Sequence, residues 1–185
     1  FEKDDGWEIE FPTNIARLIA LAGGPIGEKV FLPFDVPEWI KNGNDKIKIA
    51  FIRALFDDEG WVKIKFIRQS SSTQRMIGIN MSKNEKFIES HKQFFENIRN
   101  ILLELCITPS KVTEMGKTKN GINLGIIISN IINLHGFLQV IGFSHVEKRK
   151  KLINSLSSSR RFNELFTNDG VSFELQNNIN PNDKI

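Results

Sequence analysis

The sequence predicts an α+β protein in which helices pack against one face of a four-stranded antiparallel sheet. Two kinds of pattern predict this class. Apolar residues recur at helical spacing near residue 50 and again over residues 82–105. Each of these segments is followed by a pair of strand-like segments joined by a short polar turn. With the helical segments after the second pair, residues 45–156 have the order αββαββα plus one small helix.

The first 43 residues precede this unit and contain their own elements. Residues 7–11 alternate apolar and acidic side chains, which predicts a strand, and Thr13 is expected to cap a helix that ends near Ala22. Residues 31–45 contain Pro33, Pro37 and Gly43, which indicate an irregular connector. A helix is then expected to begin near Asp45.

Residues 51–60, FIRALFDDEG, end that helix in three acids and a glycine. Ala50, Ala54 and Asp57 recur on one face, small enough for a second helix to approach closely. Gly60 is expected to take a positive φ and end the helix just past Glu59. Acids at the negative end of a helix dipole cost stability unless a cation or a capping partner offsets them, so this cluster indicates a functional site.

Residues 61–68 alternate with period two and predict a strand, which the SSST turn joins to a second strand over residues 75–81. Alternation places Lys63 and Lys65 outward, and it predicts that three apolar side chains of the first strand face the core: Val62, Ile64 and Phe66. The expected result is a hairpin with a basic edge.

Turn and capping residues divide the rest of the chain. The expected elements are a helix capped by Ser82 and running to about residue 105, strands over 111–116 and 122–128 joined by KTKNG, a helix opened by Ser129 and ended by Gly142, and a basic helix over 147–156. The single cysteine, Cys106, is expected to be a small core residue. His145 is expected to start the last helix, and the other histidines, His91 and His135, to be packing or surface residues.

Composition restricts the class of protein. The net charge is only +3, from 25 Lys and Arg against 22 Asp and Glu, but basic residues concentrate in residues 61–75 and 145–161. Such blocks are either solvated faces or nucleic-acid contacts. No apolar run approaches the roughly 18 residues of a membrane span, and the acidic start differs from a signal peptide. We therefore expect an intracellular protein, cytoplasmic or organellar, that does not bind a membrane.

The motif resembles that of the LAGLIDADG homing endonucleases. Residues 54–60, ALFDDEG, stand where the archaeal and intein-encoded variant reads G-L-F-D-x-E-G, with Ala54 in place of the usual glycine. The order αββαββα is similar to one full repeat of that family, and the resemblance covers about 110 residues, from 44 to 156. The family fold presents a four-stranded antiparallel sheet to DNA, whose major groove carries a distinct pattern at each base pair.

The resemblance implies site-specific hydrolysis of both strands of DNA with Mg²⁺, or another divalent cation such as Mn²⁺. Glu59 takes the place of the metal-binding acid and the carbonyl of Asp58 that of a second ligand, whereas Asp57 is expected to make structural hydrogen bonds between two motif helices. Asn80 aligns with a polar residue near the metal-bound water; an ordinary sheet-face role is the alternative. Lys148 aligns with a lysine near the scissile phosphate, although neighbouring basic residues compete for that place.

Residues of the two hairpins are the candidates for phosphate or base contacts. They are Lys63, Lys65, Arg68, Gln69, Arg75, Lys111, Thr113, Lys117, Lys119 and Asn123.

The sequence contains one convincing motif, whereas cleavage of two strands needs two. Residues 1–43 fit an extension or the tail of a preceding repeat with its linker, residues 157–185 fit a C-terminal extension, and LFTNDGV at residues 165–171 is interpreted as a turn. The missing half comes either from a homodimer, formed through Ala50 and Ala54, or from a preceding repeat. A non-catalytic nucleic-acid binder, such as an intron maturase or a transcription regulator, and an inactive fragment remain the alternatives.

Overall fold

The computed structural model describes residues 12–160 and residue 162, without the side chain of Ser70. In chain order its elements are α1 (Thr13–Leu21), α2 (Glu38–Lys41), α3 (Asp45–Asp58), β1 (Gly60–Ile67), β2 (Ser72–Lys83), α4 (Ile88–Glu104), β3 (Thr113–Thr118), β4 (Gly121–Ile128), α5 (Ile131–Val140) and α6 (Val146–Ser157). From α3 onward this is the expected order αββαββα with a further helix. The α+β class is confirmed.

The four strands form one antiparallel sheet in the order β1-β2-β4-β3. Register runs from Gly60 opposite Ile79 in the first hairpin, and Ile77 lies opposite Ile128 where β2 meets β4. The two hairpins therefore lie side by side, with β2 and β4 as the central strands.

One face of the sheet is covered by helices, and the other is open. Alternate residues of the central strands are buried on the covered face together with side chains of α3 to α6; those from the sheet are Ile77, Ile79, Met81, Leu124, Ile126 and Ile128. Residues between them, including Gly78, Asn80, Asn123 and Gly125, lie on the opposite face by the same alternation. This second surface is called the open face below.

Residues 28–36, called the strap, cross the end of β2 before α2. The N–H of Asn84 donates to the carbonyl of Val30 (3.0 Å), and the ammonium of Lys83 donates to the carbonyl of Lys29. Val36 is buried in the core, and the ring of Phe34 packs edge-on against that of Phe94 of α4, 5.0 Å between centroids. The strap is thus fixed to both β2 and α4.

The sequence interpretation of β1 is only half correct. Val62 is buried as expected, but Ile64 is 43% and Phe66 60% exposed. The prediction that they face the core is wrong, because their partners on the same side of β2 are polar: Arg75 opposite Ile64 and Thr73 opposite Phe66. The apolar layer therefore ends at Val62, and the outer half of the first hairpin extends beyond it.

Several helix ends also differ from expectation. Pro12, not Thr13, is the N-cap of α1. Ser82 is a residue of β2, and the side chain of Asn84 caps the short 3₁₀ turn that precedes α4. Asn130 caps α5 one residue after Ser129. In each case a neighbouring residue holds the capping position, so the sequence located these ends to within a few residues.

The predictions that Gly142 ends one helix and that His145 starts the next are both confirmed. Gly142, with φ +65°, follows α5, and its N–H donates to the carbonyl of Phe137 (2.7 Å). His145 is the N-cap of α6 and accepts from the N–H of Lys148 through its ring. The loop between α5 and α6 is therefore closed by specific backbone contacts.

Cys106 is exposed, which contradicts its assignment to the core. Its φ of +60° places it at the left-handed position that ends α4, and the next residue, Ile107, turns back into the core with its N–H bonded to the carbonyl of Leu102. The apolar neighbours of Cys106 in the sequence had suggested burial. The turn at the helix end points its side chain outward instead.

Three expected features lie outside the described residues: the strand over residues 7–11, the turn at 165–171 and most of the C-terminal extension. Across the part of the chain that is described, no helix is both long enough and apolar enough to cross a membrane.

Candidate active site and DNA-binding face

Helix α3 begins where the side chain of Asn44 accepts from the N–H of Ile47 (3.2 Å), and it ends at Asp58 with Glu59 as its C-cap. Gly60 follows as the first residue of β1, but its φ is not positive. That expectation is wrong. Glycine is needed there for space, because a Cβ at Gly60 would lie 2.4 Å from the carbonyl oxygen of Phe56. The close turn holds Glu59 between α3 and the sheet.

Asp57 lies where the end of α3 meets the start of α6, and its expected role between two motif helices stays a prediction. Its carboxylate accepts from the backbone N–H groups of Ser144 (3.0 Å) and His145 (3.1 Å) within the same chain. Asp57 thereby ties the end of α3 to the start of α6. The exposed stripe of α3 instead consists of Lys46, Ala50, Ala54 and Asp58.

Lys148 of α6 lies at the carbonyl end of α3. Its ammonium donates to the carbonyl oxygens of Asp57 (2.6 Å) and Phe56 (3.1 Å), and it lies 3.5 Å from that of Asp58. A cation at this position offsets the negative end of the helix dipole. Lys148 is thus next to the carbonyl that the family resemblance implies as a metal ligand.

Glu59 is paired with a residue that the sequence interpretation did not include. The ammonium of Lys29, in the strap, donates to Oε1 of Glu59 (2.7 Å) and lies 3.9 Å from Oδ2 of Asp58. Lys29 is 30 residues from Glu59, in the short 3₁₀ turn Lys29–Phe31 of the strap, where no periodicity indicates the direction of its side chain. The structure therefore offsets all three acids, through Lys29, Lys148 and the N–H groups of the α5–α6 loop.

The donor set at the end of α3 suits a hard divalent cation, since a carboxylate and a carbonyl supply oxygen atoms. The ammonium of Lys29 already occupies a cation position beside Glu59 and Asp58. Within the described residues no group of three or more His, Cys, Asp or Glu side chains could hold a metal.

Asn80 lies on the open face within a chain of side-chain hydrogen bonds. The indole N–H of Trp61 donates to Oδ1 of Asn80 (2.6 Å), and the amide of Asn80 donates to Oδ1 of Asn123 (3.2 Å). This arrangement shows what orients Asn80, whereas its role near a metal-bound water stays a prediction.

The structure separates the candidate DNA-contacting residues into three groups. Lys63, Lys65, Thr113 and Asn123 lie on the open face by register. Exposed residues of turns and loops at the sheet ends form the second group: Arg68, Gln69, Lys111 and Lys119.

Arg75 and Lys117 form the third group, on the helix-covered side. The guanidinium of Arg75 donates to the carbonyls of Ser155 and Ser158 near the end of α6. Lys117 lies opposite Ile122, a residue of the covered side, after the bulge at 114–116 in β3. Arg75 is held by α6 and the bulge turns Lys117 to the covered side, so neither lies on the open face; contact of these two residues with DNA stays a prediction.

Behind the strap lies a buried cation that sequence reasoning also missed. Lys83 is fully buried, its ammonium lies 3.8 Å from the centre of the Phe34 ring, and this desolvation lowers its pKa to about 8. The neighbouring His91 is buried, with Nε2 3.0 Å from the carbonyl of Met81, which confirms it as a packing residue. Burial, and to a smaller extent the charge of Lys83, lowers the pKa of His91.

Comparisons with known sequences give two distant relatives with different names. The chain is 29% identical over 137 residues to the tRNA-splicing ligase RtcB of Methanopyrus kandleri. The aligned segment covers 74% of this chain and 13% of that protein. It is also 29% identical over 110 residues to the replication factor C small subunit of Methanocaldococcus jannaschii. That alignment covers 55% of this chain and 6% of the relative. The chain thus spans 13% or less of the length of these relatives. No family model matches.

Among solved structures, the chain is similar to the homing endonuclease I-CvuI in complex with the I-CreI target, at 18% identity and a TM-score of 0.42, covering 61% of this chain and 66% of that one. It is also similar to the LAGLIDADG homing endonuclease I-GzeII in complex with its DNA target, at 16% identity and a TM-score of 0.32, covering 68% and 38%.

Proposed function

We propose that this chain supplies one half of a site-specific DNA endonuclease of the LAGLIDADG type, with residues 44–156 as the repeat. The observation that carries the proposal is the end of α3, where the Glu59 carboxylate and the Asp58 carbonyl meet two lysines at the edge of an open sheet. The exposed Ala50 and Ala54 stripe of the same helix would receive a second motif helix.

The residues at this helix end have distinct roles in the proposal. A divalent cation, Mg²⁺ or Mn²⁺, supplies charge neutralisation at a phosphodiester and a lower pKa for an attacking water. Glu59 and the carbonyl of Asp58 would hold it, and Gly60 fixes their direction through its close contact with Phe56. Lys148, 3.5 Å from the Asp58 carbonyl, is close enough to contact a phosphate bound beside that carbonyl.

The open face supports the binding half of the proposal. It carries Lys63, Lys65 and Asn123, which are residue types that contact phosphates and base edges, on a twisted antiparallel sheet. Because these residue types suit both phosphates and base edges, double-stranded DNA is the partner in this proposal. Phosphate contacts by lysines would make the affinity for DNA depend strongly on salt.

The two sequence relatives favour a mobile element as the context. The two relatives are a ligase and a replication factor subunit, and in each of them the match with this chain covers only a small share of the relative's length. A shared segment of that kind is explained by insertion of the same element into different host genes, as an intein or an intron product would be. Neither host activity is assigned to this chain.

One observation favours a second function, that of a non-catalytic nucleic-acid binder with the same fold. The ion pair between Lys29 and Glu59 fills the cation position with a side chain of the protein itself. A maturase or regulator that had lost metal dependence would retain such a pair. The two functions differ in whether Glu59 is required for cleavage.

The test uses a randomised library of double-stranded DNA with Mg²⁺, the unaltered protein, and two matched variants. Glu59→Gln removes the charge of the proposed ligand, whereas Asp58→Asn changes an exposed side chain and keeps the carbonyl. We expect double-strand cuts at a defined site with the unaltered protein and with Asp58→Asn, and loss of cutting by at least 100-fold with Glu59→Gln.

The mass of the protein in solution is measured in parallel, because one motif supplies half of an active centre. A protein that is dimeric, binds the library in a salt-dependent way and yet makes no cuts that depend on Glu59 would refute the nuclease and support the non-catalytic binder.

A further inference from the structure

At the centre of the open face, residues of all four strands line a recess. Its volume is about 430 Å³ and its lining consists of Trp61, Val62, Lys63, Asn80, Met115 and Asn123. Two glycines create the space for this lining. A Cβ at Gly78 would lie 2.5 Å from Cζ2 of Trp61, and a Cβ at Gly125 would lie 2.9 Å from Cε of Met115. The indole and the thioether can therefore lie close to the sheet, one beside each central strand.

Hydrogen bonds fix which polar atoms the recess offers. Oδ1 of Asn80 accepts from the indole of Trp61, and Oδ1 of Asn123 accepts from the amide of Asn80. Because each amide oxygen already faces a donor, the NH₂ group of Asn123 is directed away from Asn80. Lys63 is exposed at the rim. The recess therefore combines N–H donors with two apolar surfaces, the indole of Trp61 and the methyl of Met115.

Resting on the proposed function, we infer that this recess recognises a thymine of the target site. In the major groove thymine presents one acceptor, O4, next to its C5-methyl group, whereas cytosine presents an amino donor and adenine presents an amino donor beside the N7 acceptor. The Asn123 NH₂ group donates to O4, and the Met115 methyl and the Trp61 ring contact the C5-methyl. Adenine and cytosine are disfavoured because their amino groups meet donors. Guanine offers acceptors but no methyl for the apolar surfaces.

The first test selects bound sequences from a randomised DNA library with the unaltered protein and with Asn123→Asp. The substitution keeps an oxygen that accepts from Asn80 and replaces the NH₂ donor by an acceptor. We expect one position enriched in thymine, which changes to cytosine or adenine with Asn123→Asp. An identical preference at every position for the two proteins would overturn the inference.

The second test measures the methyl contact alone. Replacing the thymine at that position by uracil removes only the C5-methyl and is expected to weaken binding by roughly fourfold, the effect of one buried methyl group. With Met115→Ala the same replacement should have little effect, which a purely structural role of Met115 would not produce. Uracil at other positions of the site is the internal control. Equal losses for both proteins would overturn the inference.

The outcomes separate the two proposals. If the protein selects a defined site, but no thymine preference in that site changes with the Asn123 or Met115 variants, this inference is wrong and the endonuclease proposal stands. Absence of any enrichment, in the presence or absence of divalent cation, would remove both.

Discussion

At the scale of single residues, Glu59 is held by a cation of its own chain. The carboxylate is 28% and Lys29 48% exposed, so the pair is screened by water and contributes at most about 1 kcal/mol to folding. Its effect on metal binding is more direct. A divalent cation that approaches Glu59 must displace the ammonium of Lys29 or bind beside it against charge repulsion.

Lys29→Met is therefore expected to raise the affinity for a divalent cation, by up to roughly fivefold for an exposed ion pair. Calorimetric titration with Ca²⁺ measures this without DNA or cleavage. Lys41→Met is the matched control, since Lys41 forms ion pairs with Asp35 and Glu38, away from the end of α3. If Glu59→Gln weakens binding while Lys29→Met leaves it unchanged, Lys29 does not compete with the metal.

The acids of this site could be predicted from the sequence, whereas the cations around them could be predicted only in part. Asp57, Asp58 and Glu59 belong to one helix end, and local spacing determines where they lie. Lys148 was identified by its place in the family order. Lys29 lies in a short 3₁₀ turn of the strap, and its contact with Glu59 depends on how the strap folds over β2, which no local pattern encodes.

At the scale of elements, the strap is attached to β2 through a buried lysine. Lys83 donates to the carbonyl of Lys29 and lies against the ring of Phe34. Its side chain has no exposed surface, and this burial penalises the charged form. The strap thus brings Lys29 to Glu59 by an attachment that is sensitive to the protonation of Lys83.

The burial of Lys83 predicts that the free energy of unfolding depends on pH. The pKa of Lys83 is about 8 in the folded chain against the ordinary 10.5, so between pH 8 and 10.5 unfolding takes up a proton. The free energy of unfolding should therefore rise with pH across this window, and the rise should be absent from Lys83→Met. Urea unfolding at several pH values measures it. Lys86→Met, which changes an exposed lysine nearby, is the control and should keep the rise. If the rise persists in Lys83→Met, a titratable group other than Lys83 causes it.

The elements themselves follow from periodicity, and the deviations have local causes. Helical and alternating patterns predicted the order of all elements from α3 to α6. They misplaced Ile64 and Phe66, because alternation specifies a side of the sheet but not how far the helices extend over it. They misplaced Cys106, because its left-handed backbone depends on the way α4 ends.

At the scale of the whole molecule, two helices of the described chain have exposed surfaces in addition to the open face of the sheet. Helix α1 has no buried residue, and its Leu18 and Leu21 are 60% and 84% exposed. The stripe of α3 formed by Lys46, Ala50, Ala54 and Asp58 is exposed as well. The α3 stripe ends beside Glu59, so a helix packed on it would bring its own acidic end to the same place. The proposed active centre therefore depends on assembly.

Ala54→Glu tests this dependence, because it places a charge in the middle of the exposed stripe without disturbing the core. If two copies pack through α3, the substitution should raise the dissociation constant of the dimer by at least tenfold. The unfolding midpoint of the monomer should not change. Sedimentation equilibrium measures the shift. Asn154→Glu, a matched charge at an exposed position of α6, should leave the dimer intact. A monomeric unaltered protein would instead assign the second motif helix to a preceding repeat, and an Ala54→Glu protein that stays dimeric would exclude α3 as the interface.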